Sequence, residues 1–137
     1  MQDSGGENGR RMRIPIAVAL GGALGALARY LMVGRIEHWL GAEFPFGTLA
    51  ANVLGSFLMG VLIELMALAW SPSEALRALL TVGLLGSFTT FSALSAETLM
   101  LFESGVPGQA ALYAVASVAL SLIGIYGGMR LFRVTWR

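Results

Sequence analysis

Residues 86–97 read GSFTTFSALSAE. Five hydroxyl side chains, two phenylalanines and a carboxylate interrupt a run that is otherwise apolar enough for lipid. Ser and Thr compete for backbone hydrogen bonds and Thr is β-branched, so Gly86 to Ser92 is poor helix. The apolar run that contains them, residues 75–101, also exceeds the roughly 20 residues that a bilayer demands. Together these features predict a discontinuous helix, two halves meeting at an unwound middle. Unwound backbone survives at membrane depth only where protein buries it or a polar cavity takes it up. There its carbonyls can hold a cation, while hydroxyls and half-helix N-termini face an anion. The stretch reads as an ion or substrate site.

The rest of the chain agrees with that solvent. Of 137 residues, 56% are hydrophobic and 12% charged, with a mean hydropathy of +0.74. A soluble domain carries about 25% charged residues, so composition alone indicates a membrane protein. Cysteine is absent, which removes disulfides and thiolate metal sites. All nine basic residues are arginine and the net charge is +1, giving no electrostatic case for nucleic acid. His38 is the one histidine and has no neighbouring ligand for a metal; it reads as solvated in a polar loop.

Working outward, four spans account for nearly everything, at about residues 14–33, 46–70, 75–101 and 110–132. The connections GRIEHWLGAEFP, SPSE and ESGVPGQ carry the Gly, Pro and charge expected of turns. Residues 1–13 are polar and Gly-rich, and read as a disordered tail ahead of a four-helix unit over residues 14–137. The start mimics a cleavable signal peptide, but the apolar run continues past Arg29, so a retained first span is expected.

Small residues four apart, Gly21 and Gly25, Ser56 and Gly60, Gly124 and Gly128, predict close helix packing. Charges at membrane depth cost about 2.5–3.5 kcal/mol on insertion scales, so each needs a reason. Arg29 can snorkel, Glu64 lies near a span end, and Glu97 sits deeper, facing protein or water. Asn52 is an embedded amide on one helical face with Ser56. Tyr113, Ser117 and Ser121 line a single stripe of the fourth span and form a candidate donor track.

These residues also carry a resemblance. GALGALARY, FPFGTLAANVLGSFLMG and GLLGSFTTFSALSAETL, in that order, resemble the Fluc/CrcB family of fluoride channels over essentially residue 14 to the chain end. The resemblance implies an all-α integral membrane protein of four transmembrane helices, the third broken, assembled as an antiparallel dimer with dual topology. It implies passive fluoride export across the cytoplasmic membrane, which relieves fluoride toxicity, and no enzymatic activity. It places Asn52, Thr90, Phe91, Ser92, Glu97, Tyr113, Ser117 and Ser121 along the fluoride pathway, and a structural sodium ion at the carbonyls of Gly86 and Thr89. Arg29 matches a first-span arginine of the family. Fluoride is strongly hydrated, so its pathway must replace water with donors yet release the ion.

Two features depart from the family's pattern. Leu94 stands where the family has a second pore phenylalanine, with Ala93 before it in place of Thr. Arg10, Arg11, Arg13, Arg77, Arg130, Arg133 and Arg137 fall on one side of a four-span chain, with Arg29 and Arg35 on the other. That bias predicts cytoplasmic termini and suits one subunit of a heterodimer. A homodimer is the favoured expectation, because Arg10 and Arg11 lie in the tail. The rival reading is a small proton-coupled exporter using Glu97 or Glu64; a third is a non-conducting assembly subunit.

Overall fold

A computed structural model describes the backbone of residues 4–136 and the side chains from Met12 to Trp136. The described residues are helical, without strands: α1 (Ser4–Leu40), α2 (Phe46–Leu68), α3 (Glu74–Ala78), a π-helix (Leu79–Leu85), α4 (Gly86–Phe88), α5 (Phe91–Glu103) and α6 (Pro107–Thr135). Four stretches are long and apolar enough to cross a membrane: Met12–Leu40, Phe46–Leu68, Glu74–Glu103 and Pro107–Thr135. They match the four spans expected; the first, third and fourth extend outward at both ends, while the second keeps its start at Phe46 and ends two residues earlier.

The helix ends follow from local chemistry. Gly41, at φ +84°, stops α1 in the left-handed conformation that glycine tolerates, and its N–H returns to the Glu37 carbonyl at 2.9 Å. Ser73 caps α3, its hydroxyl accepting from the Leu76 N–H at 3.3 Å. Pro107 opens α6, where a missing N–H costs nothing.

Two expectations are corrected at α1. The tail expected to be disordered is helical from Ser4 onward; residues 1–3 lie outside the described residues. Extending a formed helix by one residue needs no new nucleus, so the apolar span carries the polar segment with it. His38 is likewise in the last turn of α1 and not in a loop, a position where a cationic side chain suits the helix dipole.

Backbones approach closely at the glycines. A Cβ on Gly21 would strike the Leu79 carbonyl oxygen, and one on Gly25 the Leu84 carbonyl oxygen, so α1 lies against the π-helix. A Cβ on Gly60 would strike the Ile125 carbonyl oxygen, and one on Gly128 the Phe57 carbonyl oxygen, so α2 lies against α6. Packing of this kind drives helix association where lipid removes the hydrophobic term. The Gly21 and Gly25 pairings make α1 parallel to the third span, and Gly124 against Val53, Gly128 against Phe57 and Glu64 with Arg133 ascend together and make α2 parallel to α6. The starts of α1 and α3 and the ends of α2 and α6 therefore share one end of the bundle. A small core of Leu94, Leu101, Ala110 and Tyr113 joins α5 to α6, with Phe44, Leu49 and Val106 against it.

Candidate functional site at the helix break

The third span departs from α-helix twice. First it widens: the Gly86 N–H reaches back to the Thr81 carbonyl, closing the π-helix. Then it opens. Thr89 (ψ 155°) and Thr90 (φ −153°, ψ 118°) are extended, and α5 starts afresh at Phe91. The expected discontinuity is present at the TTFS residues.

The break is stabilised by side chains. Asn52 of α2 accepts the Thr90 N–H on Oδ1 at 2.7 Å and donates from Nδ2 to the Thr90 carbonyl at 3.1 Å. Thr90 caps α5, its Oγ1 accepting from the Ala93 N–H at 3.1 Å. In an unbroken α-helix those two N–H groups would go to the carbonyls of Gly86 and Thr89. Neither carbonyl accepts from the residue four ahead, so both lack their α-helical partner at the break. Thr89 Oγ1 donates to the Leu85 carbonyl at 3.0 Å, so its hydroxyl is used within the helix.

Beside the break runs a groove of about 420 Å³ between α2, α5 and α6. Asn52, Ser56, Thr90, Phe91, Ser117 and Ser121 contribute to its wall, together with Leu94 and other apolar side chains. Asn52 keeps one amide hydrogen after bonding Thr90. Ser117 Oγ is buried without a hydrogen-bond partner among the described residues. Membrane serines commonly bond the carbonyl four residues back, as Ser95 and Ser104 do here; Ser117 does not, and it faces the groove. Phe91 is 77% exposed, whereas Leu94 is 7% exposed. Phe88, three residues before Phe91, is buried against Gly55 and takes no part.

Three expected residues lie off the groove wall. The Ser92 hydroxyl lies 3.1 Å from Thr90 Oγ1. Glu97 is held by two hydroxyls: Thr48 Oγ1 donates to Oε1 at 2.7 Å and Tyr113 OH donates to Oε2. Both oxygens of this carboxyl group are therefore engaged, one from α2 and one from α6. Glu97, Thr48 and Arg29 line a separate cleft of about 300 Å³, and Arg29 Nε is buried there without a partner among the described residues. Thr48 stands one helical turn before Asn52 on the same face, a spacing that is the only sign of its role in the sequence. Glu64 is spoken for: Arg133 Nε donates to its Oε1 at 2.7 Å.

A family model described as "CrcB-like protein, Camphor Resistance (CrcB)" matches residues 16–129. The chain belongs to the CrcB family. Among its CrcB relatives, one from Rhodospirillum centenum is 50% identical over 122 residues, covering 89% of this chain and 97% of that protein. Another, from Nitrobacter winogradskyi, is 46% identical over 119 residues, covering 87% and 94%. A third, from Methylococcus capsulatus, is 49% identical over 117 residues, covering 85% of this chain and 51% of that longer protein. All three carry the name fluoride-specific ion channel FluC. The CrcB match spans α2, the break and most of α6, so every groove residue named above falls within it.

Proposed function

We propose that this protein is a passive, fluoride-selective channel that exports fluoride across the cytoplasmic membrane and so relieves fluoride toxicity. The observation that carries the reading is the groove at the helix break, whose wall the spare Asn52 amide hydrogen and the Ser117 hydroxyl, unpartnered among the described residues, share with the Phe91 ring. A small hydrated anion needs such donors to replace its water, and a ring edge is the positive part of an aromatic quadrupole. The naming of full-length relatives at 46–50% identity supports fluoride as the anion.

The working unit is an antiparallel homodimer, inserted in both orientations. Phe91 is the residue that asks for a second subunit: its exposed ring completes a groove wall only when another surface faces it. A structural sodium ion fits the break. The carbonyls of Gly86 and Thr89 are hard oxygen donors that would hold such a cation, which when bound would offset their dipoles. Glu97, with its two hydroxyl partners, stands at the end of the Tyr113–Ser117–Ser121 stripe and continues the polar path.

The proton-coupled exporter finds less support. It needs a carboxylate free to trade a proton for cargo, whereas Glu64 is paired with Arg133 and Glu97 accepts from Thr48 and Tyr113. The test is efflux from liposomes holding this protein alone, with potassium leak supplied by an ionophore. Rapid fluoride release and far slower chloride release are expected, with no proton gradient required. Equal halide rates, or strict dependence on a proton gradient, would overturn the reading.

A further inference from the structure

The two ends of the bundle differ in charge and in aromatic content. The end shared by the starts of α1 and α3 and the ends of α2 and α6 exposes Arg13, Arg77, Arg130 and Arg133 with the acid Glu74, while Glu64 is buried against Arg133. The opposite end exposes Arg35 and His38 with Glu43 and Glu103, and Glu37 is half-buried beside them. On the basic end the arginines are set among amphipathic rings. The Arg130 guanidinium lies 5.6 Å from the centre of the exposed Tyr126 ring, and Trp136 stacks on Phe132 with centroids 5.8 Å apart. Arg133 spends only Nε on Glu64, so its two terminal nitrogens remain as donors. Toward mid-span α6 exposes the apolar side chains of Ile123 and Ala119.

That sequence of surfaces, apolar wall, ring, then guanidinium, follows the depth profile of a phospholipid from chain to headgroup. Tyr and Trp settle at headgroup level, and guanidinium forks match phosphate oxygens bidentately. We infer that the Arg130 end of the bundle is a docking surface for anionic phospholipid headgroups, with Arg77 and Arg13 extending it around α1 and α3. The Trp39 end, where acids outnumber arginines, lacks it. The occupant is a lipid because the guanidinium groups and amphipathic rings stand together at the end of membrane-spanning helices, the level at which headgroups lie.

Native tryptophans report on both ends: Trp136 and Trp70 on the basic one, Trp39 on the other. In Trp39→Phe/Trp70→Phe protein only Trp136 remains, and in Trp70→Phe/Trp136→Phe protein only Trp39. Each is placed in phosphatidylcholine vesicles with a minor fraction of phosphatidylglycerol, either lipid being brominated on its chains as a contact quencher. Brominated phosphatidylglycerol should quench Trp136 well beyond the same mole fraction of brominated phosphatidylcholine, and should show no excess at Trp39. An arginine near an anionic surface contributes roughly a five-fold gain in local affinity. Arg130→Gln with Arg77→Gln should therefore erase most of the excess at Trp136, and Arg35→Gln should leave it. Equal quenching of Trp136 by the two lipids, or the same excess at Trp39, would overturn the inference.

Discussion

Asn52 and Thr90 share two hydrogen bonds across 38 residues, one to the Thr90 N–H and one to its carbonyl. A single amide thus does for the break what a neighbouring turn does inside a helix: it satisfies both backbone groups of one residue.

Asn52→Leu should consequently hurt twice. It removes the donor facing the groove and leaves the Thr90 N–H and carbonyl bare, at about 1–3 kcal/mol per buried group. Fluoride efflux should collapse, and the melting temperature in detergent should fall with it. Wild-type flux would make Asn52 a packing amide; lost flux with unchanged melting would detach it from the break.

Glu97 should behave as one unit with Thr48 and Tyr113. Thr48→Val and Tyr113→Phe each remove one hydroxyl from the carboxylate. Both should slow efflux, and the double variant should depart from additivity by about 0.5–3 kcal/mol, as groups within one network do. Additive losses across the cycle would mean that the two hydroxyls act separately.

Phe91 and Leu94 sit one turn apart and should respond in opposite ways. Phe91→Ala alters an exposed ring, so the protomer's own stability should change by within about 0.5 kcal/mol while fluoride flux and dimer affinity fall. Leu94→Ala empties a buried position beside Tyr113 and should cost about 2–5 kcal/mol. Thermal melting alongside efflux separates the two; equal destabilisation would contradict the exposure of Phe91.

Glycines should divide by their surroundings. Gly60→Ala puts a methyl against the Ile125 carbonyl oxygen, an overpacking that costs about 1–3 kcal/mol. Gly127→Ala meets open space and should gain about 0.5–1 kcal/mol, as alanine does in a helix. Melting curves for the two variants test the crossing of α2 and α6 directly.

Local chemistry explains which features were legible beforehand. The four spans and the break follow from hydropathy and from hydroxyl-rich, β-branched residues, which act within a few positions of themselves. The donor stripe was half legible: Ser117 and Ser121 reach the groove, while Tyr113, on the same stripe, turns to Glu97. Contacts between distant residues were not legible. Thr48 and Glu97 are 49 apart and Glu64 and Arg133 are 69 apart, and no periodicity in either helix names the partner. The π-helix was hidden for another reason. Its sequence, LLTVGLL, is apolar on every side, so a change of winding leaves no mark in the hydrophobic pattern.

That hidden winding has a consequence for how the chain can change length. A π turn holds a surplus residue relative to an α turn, and each residue turns an α-helix by about 100°. Losing one residue from Leu79–Leu85 would restore an ordinary helix with every hydrogen bond made and hydropathy unaltered. The wider winding takes up that residue, so Gly86, Thr89 and the TTFS residues keep the facing toward Asn52 that an ordinary helix one residue shorter would give. A one-residue deletion within Leu79–Leu85 should therefore be tolerated, whereas the same deletion between Gly86 and Phe88, where no surplus remains, would turn the break about 100° away from its amide.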